Sequence, residues 1–309
     1  MKTETIMIIC YLLMFVGAVI QPIEKQLLYY ISHNDYSSVK NIIDNKVGLT
    51  ELSYSIPPLV IAGNTGRYKI ASLLLDYGFE VDECDRSGFT PLKTAARNGH
   101  INLVKLFLDH GSNIIHGKNG TPLVWVANQG NVEMGQFLID NGAPDMRGNG
   151  IRFPLLEAVR NNHIEFVQLL IKNKFNINIK NNKGYTALLY AVSNRNYDMV
   201  SLLINNLANP KILTNKKVNT FNYMCTKNKH QDKKICDLLT YVYRIHELVE
   251  VRKNKLKHNS KQELEYIEHV INDNWDAPYY LNLVEFYQDN FTESNVLMTS
   301  LLIESRSNQ

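Results

Sequence analysis

Few side chains in this sequence have a type and spacing that could support catalysis. Cys225, His230 and Cys236 lie close together in "CTKNKHQDKKIC". A structural zinc site needs four ligands at short, regular spacings, and this stretch lacks both features. We predict no metal site here, and two interpretations of the cysteines stay open: two separate thiols, or a Cys225–Cys236 disulfide.

Other chemical motifs are absent from the sequence. It contains no phosphate-binding glycine loop, zinc-protease helix or nucleophile elbow. His100 and His163 stand singly, each before an apolar stretch, where a structural hydrogen bond to a neighbouring loop is the simplest interpretation. We therefore predict a protein that has no catalytic residues, needs no cofactor and is not an enzyme.

An apolar run of fifteen residues, Ile6–Ile20, follows Lys2 near the N-terminus. It is shorter than the roughly 20 residues that a membrane-spanning helix needs. It fits the central region of a secretory signal peptide, with Val16 and Ala18 at the small-residue positions that precede cleavage. We predict a signal peptide at residues 1–18 and a secreted protein. The alternative is a membrane-anchored scaffold that retains this segment.

Bulk composition narrows the remaining function classes. The net charge is +3 over 309 residues, a near balance that does not indicate a nucleic-acid partner. Of the four cysteines, three would remain after cleavage, too few for a disulfide scaffold. Basic clusters at Lys227–Lys234 and Arg252–Lys261 are interpreted as solvated surface, or as a patch for an acidic partner or an anionic membrane.

A repeated pattern defines the elements that must position any site. "TPL" occurs at Thr90–Leu92 and Thr121–Leu123, and related triplets have their middle residues at 58, 154 and 187. The five middle positions are separated by 33, 31, 32 and 33 residues. Each triplet is followed by a short polar turn and a second apolar stretch, such as "LVKLFLDHG". A fixed period of this length is the signature of a repeat architecture.

The clearest repeat predicts two helices joined by a turn. Pro91 suits the first position of a helix, where its missing N–H costs nothing. Gly99 can adopt the positive φ that ends the first helix. The first helix has a narrow apolar face of Leu92, Ala95 and Ala96, and the predicted apolar face of the second helix consists of Ile101, Val104, Leu106, Phe107 and Leu108.

The pattern resembles the ankyrin repeat, a helix-turn-helix unit of about 33 residues with a β-turn between units. The resemblance implies an all-α ankyrin-repeat solenoid of six to seven repeats at residues 23–240. A helical C-terminal region, residues 241–309, has no predicted function, and an enzyme or adaptor activity in it is a further alternative. Lys93, Val124, Leu156 and Leu189 replace the family's usual histidine, and local irregularity is expected around Asp145–Phe153 and Asn173–Asn178.

The same resemblance implies a function in protein–protein interaction, through a concave face of loop tips and first helices. We expect a monomeric, secreted protein that binds a protein with a polar or acidic surface, and an effector is one version of that function. Membrane contact is expected only if the N-terminal segment is retained. The residues carried over as protein-binding positions are Arg86, Ser87, Phe89, Arg97, Asn98, Lys118, Asn128, Gln129, Asn149, Arg152, Arg160, Asn161, Lys183, Tyr185 and Asn194.

Overall fold

The computed structural model describes residues 22–46, 48–116, 118, 120–144, 152–226, 232–240 and 242–243. Within these ranges the regular elements are helices, and no strand occurs. The predicted signal peptide at 1–18 lies outside the described residues. So do Asn149 and all but two residues of the predicted 241–309 region.

The described part of the chain contains twelve α-helices, which form six consecutive helix–turn–helix pairs. Short turns link the members of a pair, and longer loops link successive pairs. The helices are α1 Ile23–Ser32, α2 Tyr36–Asn45, α3 Pro58–Thr65, α4 Tyr68–Tyr77, α5 Pro91–Arg97, α6 Ile101–Asp109, α7 Pro122–Gln129, α8 Val132–Asp140, α9 Pro154–Arg160, α10 Ile164–Lys172, α11 Ala187–Ser193 and α12 Tyr197–Asn205. A 3₁₀ helix at Leu49–Glu51, a π-helical turn at Asn222–Thr226 and helical residues 233–240 complete the described elements.

The five repeated triplets begin the first helices of the second to sixth pairs, as the sequence predicts, whereas α1 begins at Ile23 without such a triplet. Thr90 and Thr186 are N-caps whose hydroxyl oxygens accept hydrogen bonds from the N–H groups of Lys93 and Leu189. These bonds satisfy amides that have no partner inside the helix. At Phe153, which stands in the threonine position, no side-chain cap forms and the ring is buried instead.

Two compact units divide the chain. The first comprises residues 1–126 and 133–150, and the second comprises residues 127–132 and 151–309. In the first unit, the first helices α1, α3 and α5 pack in series, and the second helices α2, α4 and α6 do the same. In the second unit, α9 packs against α10 and α11, and α11 packs against α12. Within each unit these pairs thus bury their apolar sides against a neighbouring pair, which a single pair could not do.

The buried side of α6 differs from the predicted apolar face at three positions, since Ile101 is half-buried and Leu103 and Leu108 also depart from the prediction. Leu103, Val104, Leu106 and Phe107 are buried, whereas Leu108 is only half-buried. The prediction therefore omitted Leu103 and wrongly included Leu108. In a helix, positions 103, 104 and 107 share one face, and position 108 lies at its edge.

A left-handed residue ends every helix pair's internal turn. These positions recur at the repeat period: Asn34, Gly66, Gly99, Gly130, Asn162 and Arg195, with φ between 54° and 77°. The residues that close the second helices behave likewise, at Gly78, Gly111, Gly142, Lys174 and Leu207. The backbone therefore has the same left-handed conformation at these turn positions whether the residue is glycine or not.

The region Asn173–Asn178 therefore closes as the glycine-bearing repeats do. Lys174 N–H donates to Ile171 and Phe175 N–H donates to Leu170, the pattern that Gly111 and Ser112 also form. The irregularity expected there is not found. The other expected irregular stretch, Asp145–Phe153, lies mostly outside the described residues.

We expect Lys174→Gly to stabilise the protein by about 1 kcal/mol, because an L-residue with a side chain is strained in the left-handed region. Lys174 is exposed and has a φ of 60°. The control is Lys172→Gly, two residues earlier and also exposed, in the last turn of α10. There glycine should destabilise by about 0.5–1 kcal/mol. Thermal unfolding followed by circular dichroism tests this; a lowered melting temperature for both variants would contradict it.

Candidate protein-binding site

The loops before α5 and α11 are tight turns of identical construction. The Asp85 side-chain oxygen Oδ1 accepts hydrogen bonds from the N–H groups of Ser87 and Phe89, both at 2.9 Å. Asn181 Oδ1 does the same for Lys183 at 2.9 Å and Tyr185 at 3.0 Å. Because the turn is held by its own side chain, the aromatic residue that follows has a defined position.

In the first compact unit, Phe89 is the centre of a cluster of aromatic and cationic groups. Its ring lies 5.0 Å from the ring of Trp125, with an interplanar angle of 49°. The Arg97 guanidinium carbon lies 5.0 Å from the Phe89 ring centroid and the Lys93 Nζ lies 5.6 Å away. Cations at these distances are attracted by the electron-rich ring face.

Lys93, which replaces the family's histidine, is buried, with no exposed surface. Its Nζ donates hydrogen bonds to the carbonyl oxygens of Gly88 at 3.0 Å and Lys118 at 2.6 Å. Burial lowers the pKa of Lys93 to about 8, while the nearby Cys84 and Asp85 oppose that change. The lysine thus ties two successive loops together, the role that the resemblance attributes to the missing histidine.

In the second compact unit, a buried carboxylate organises two arginines. Glu157 Oε1 lies 3.7 Å from Arg160 Nη1 and 3.9 Å from Arg152 Nε. The Glu157 side chain is 6% exposed, whereas the side chains of Arg160 and Arg152 are 52% and 40% exposed. Asn128 Nδ2 donates to Glu157 Oε2 at 3.4 Å. One carboxylate therefore serves two partly exposed cations, and the local charge stays positive.

An aromatic pair continues this cluster. The guanidinium carbon of Arg160 lies 5.9 Å from the Tyr190 ring centroid, and the rings of Tyr190 and Tyr185 meet edge to face at 5.7 Å. Asn181 Nδ2 donates to the Tyr190 hydroxyl at 2.9 Å. Burial is the largest cause of the raised pKa of Tyr190. Both clusters place an arginine on an aromatic ring, but Arg97 lies on the turn-held Phe89, whereas Arg160 lies on Tyr190, the ring that packs against the turn-held Tyr185.

The predicted binding residues within the described ranges fall into two groups by exposure. Phe89 and Tyr185, the two aromatic residues among the predicted binding positions, are half-buried, with Trp125 and Tyr190 packed against them. The half-buried members also include Arg97, Asn128 and Arg152. The exposed members are Arg86, Ser87, Asn98, Lys118, Gln129, Arg160, Asn161, Lys183 and Asn194. The structure brings Arg97 to Phe89, but it places Arg160 on Tyr190 and Arg152 on Glu157.

Some predicted residues also stabilise the stacking of repeats. Asn98 Nδ2 donates to the side-chain oxygen of Asn64 at 2.9 Å. Asn194 Nδ2 donates to the carbonyl oxygen of Arg160 at 3.4 Å. His163, interpreted from the sequence as a structural residue, makes such a bond between its Nε2 and the Asn128 carbonyl oxygen at 2.9 Å. Substituting these residues would therefore alter the scaffold as well as the surface.

Four residues that organise the two clusters were not predicted from the sequence: Trp125, Glu157, Tyr190 and Asn181. Trp125, Glu157 and Tyr190 stand two positions after the leucine of their triplet or its equivalent. That shared position was a usable signal, since it lies one helical turn before the predicted contacts Asn128 and Arg160. Asn181 could have been found by its equivalence to Asp85 at the start of the loop.

The thiols form no metal centre within the described residues. Cys225 Sγ donates to Cys236 Sγ at 2.9 Å, and no disulfide bond joins them. Burial is the main cause of the rise in the pKa of Cys225 to about 12. His230 lies outside the described residues. Where the structure describes the chain, no group of three or more candidate ligands is placed to hold a metal ion.

A membrane-spanning helix has to be both long and apolar. None of the helices in the described ranges combines the length and the apolar character needed to cross a bilayer. The apolar run Ile6–Ile20 lies outside those ranges.

Family models match most of the region that carries the repeats. A model described as "Ankyrin repeats (3 copies)" matches residues 27–118. A second, "Ankyrin repeats (many copies)", matches residues 123–171 and 155–204. The chain belongs to the ankyrin-repeat family. Its fold is an all-α ankyrin-repeat solenoid, and ankyrin repeats indicate a protein–protein interaction module.

The relatives that this chain matches are much longer proteins. The chain is 31% identical over 126 residues to the ankyrin repeat and KH domain-containing protein mask-1 of Caenorhabditis elegans, covering 41% of this chain and 5% of that protein. It is 30% identical over 170 residues to the potassium channel AKT2/3 of Arabidopsis thaliana, covering 52% and 21%. The chain thus spans a small part of both curated relatives.

Solved structures of ankyrin proteins share the fold. The ankyrin repeat protein EF0377 is 29% identical with a TM-score of 0.52, covering 61% of this chain and 98% of that one. The ankyrin repeat domain of Bcl-3, described as a member of the IkappaB family, is 20% identical with a TM-score of 0.59, covering 69% and 97%. At that identity the Bcl-3 likeness shows the fold alone.

Proposed function

We propose that this ankyrin-repeat chain is a non-enzymatic module that binds a protein partner through its loop tips and first helices, the concave side in this family. The observation that carries the proposal is the pair of aromatic and arginine clusters around Phe89 and Tyr190. Both clusters are built from residues of the loops and first helices of their repeats. Aromatic residues and arginines are the types enriched at the energetic centres of protein interfaces.

The charge of the second cluster favours an acidic partner. Glu157 is buried, and the two arginines beside it are partly exposed. Arg160 is held by both Glu157 and the Tyr190 ring, so less side-chain entropy is lost when it pairs with a partner's carboxylate. Neighbouring positions Asn161, Lys183 and Asn194 add exposed polar donors.

We expect Arg160→Ala and Lys183→Ala, combined, to weaken binding of the partner by about 2 kcal/mol, or roughly 30-fold in Kd. The partner is first captured with the full chain and purified, and its affinity is then measured by calorimetry. Lys105→Ala combined with Lys172→Ala is the matched control, since both lysines are exposed on second helices. Equal weakening by the control pair, or none by the test pair, would contradict the proposed surface.

We further propose that the protein is secreted after cleavage near Ala18, in keeping with the apolar run that follows Lys2. The possible role as an effector belongs to this proposal and rests on the combination of a signal peptide with repeats. N-terminal sequencing of the expressed protein tests it. A product that begins at Met1 and sediments with membranes would favour the anchored scaffold instead.

A further inference from the structure

One surface of the second compact unit is basic. It comprises the loops and first helices at residues 152–163, 176–196 and 209–222. These ranges contain eight lysines and arginines and one acidic residue, a net charge of +7. The basic residues are Arg152, Arg160, Lys180, Lys183, Arg195, Lys211, Lys216 and Lys217, and the acidic one is Glu157. We call this the basic surface.

The basic surface displays almost no compensating negative charge. Glu157 is buried between the two arginines, so the described ranges that form the surface expose no carboxylate. The second helices of the same unit, α10 and α12, carry Glu165 and Asp198 against Lys172. The positive charge therefore belongs to one side of the repeats and does not cover the unit evenly.

Hydrogen bonds make the basic surface continuous from one repeat to the next. The Asn215 N–H donates to the Lys183 carbonyl oxygen at 3.1 Å, and Asn215 Nδ2 donates to the Asn182 carbonyl oxygen at 2.7 Å. These bonds hold the loop that bears Lys183 beside the loop that bears Lys216. Asn194 links to Arg160 in the same manner on the helices. Like charges are thus held near one another, which favours an acidic occupant.

The chain itself contains an acidic segment of suitable charge. Residues 262–305 have no lysine or arginine and nine acidic side chains. Those side chains are Glu263, Glu265, Glu268, Asp273, Asp276, Glu285, Asp289, Glu293 and Glu304. The net charge of +3 for the whole chain is thus the sum of regions of opposite charge, which include the positive basic surface and the negative segment 262–305.

Chain length permits contact between the two. Residues 244–261 separate the acidic segment from Tyr243, the last described residue of the unit. Eighteen residues can span up to about 60 Å when extended. For comparison, the nine-residue helices α10 and α12 of this unit are each about 14 Å long, so the linker is several times longer than either helix. Tethering also gives the segment a high effective concentration, an advantage over any separate acidic partner.

We propose that the acidic segment 262–305 docks in cis on the basic surface and competes there with a protein partner. The inference extends the proposed function, since both occupants would use one surface. It can nevertheless fail separately, because the experiment below is done without any partner. The nearest competitor for the acidic segment is the cluster Arg252–Lys261, which precedes it in the sequence.

Carbodiimide crosslinking of the full chain, followed by peptide mass spectrometry, tests the docking. The reagent joins a lysine amine directly to a carboxylate. In about 20 mM salt we expect crosslinks within monomers from Lys180, Lys183, Lys216 and Lys217 to carboxylates of Glu263–Glu293. In about 1 M salt, where charges are screened beyond roughly 3 Å, these crosslinks should disappear.

Matched charge variants complete the test. In Lys183→Glu/Lys216→Glu, the crosslinks still possible through Lys180 and Lys217 should fall by about fivefold. They should persist in Lys183→Arg/Lys216→Arg, which keeps the charge, and in Lys172→Glu/Lys174→Glu, which changes exposed lysines at the end of α10. Circular dichroism checks that all variants fold.

Two results would overturn the inference. Crosslinks from the acidic segment confined to Lys253, Lys255, Lys257 and Lys261 would show that the segment pairs with its neighbouring cluster. Crosslinks found only in covalent dimers would show that the occupant is the acidic segment of a second copy.

Discussion

Raising the pH from 8 to 10.5 should stabilise the wild-type protein relative to Lys93→Met by up to about 3 kcal/mol. Burial lowers the pKa of Lys93 to about 8 from the ordinary value of 10.5. Between these values the unfolded chain keeps a proton that the folded chain has lost. The unfolding free energy therefore rises with pH over this window, by about 1.4 kcal/mol for each pH unit of separation.

The comparison with Lys93→Met removes other titrating groups from the result. Methionine has a similar shape and does not titrate, so cysteines and tyrosines contribute equally to both proteins. Urea unfolding at several pH values gives the two free energies. A constant difference between wild type and variant would mean that the Lys93 ammonium is not desolvated. It would contradict the buried position between the carbonyls of Gly88 and Lys118.

Phe107→Ala should lower the free energy of unfolding by about 3–5 kcal/mol. The ring has no exposed surface and lies among the packed helices of the first compact unit. Its removal loses the transfer free energy of the ring and leaves a cavity. Leu103→Ala, at a position with 1% exposure, should cost about 2–5 kcal/mol for the same reason.

Leu108→Ala is the control for this prediction. Leu108 is adjacent to Phe107 but half-buried, so its truncation should cost well under half as much as Phe107→Ala. Urea unfolding followed by circular dichroism measures all three variants. Equal losses for Leu108→Ala and Leu103→Ala would mean that α6 is rotated from the orientation described above.

Local signals determined most of the repeat architecture. The period of 31 to 33 residues placed each helix pair, and proline and threonine marked the helix starts. These signals act over a few residues, through hydrogen bonds and backbone preferences that each repeat forms internally. The same applies to Gly99, whose φ of 77° matches the turn predicted for it.

At some non-glycine residues, the local sequence does not predict the backbone conformation. Lys174 and Leu207 have φ values of 60° and 68°, and their sequence gives no sign of it. The neighbouring helices impose this backbone path, since stacked repeats must end their helices at equivalent points. Packing overrides a residue preference of about 1–2 kcal/mol.

The sequence by itself determined the family and the helix order, and it predicted the side of each repeat that would carry the candidate site. Only the tertiary structure decided which side chains meet on that side. Lys93 reaches the loop of the following repeat, and Trp125 covers Phe89 from a distance of 36 positions along the chain. Glu157 lies between Arg152 and Arg160, two predicted binding residues whose shared partner the sequence did not indicate. Periodicity specifies positions along the repeat, whereas these contacts depend on the particular side chains that stacking brings together.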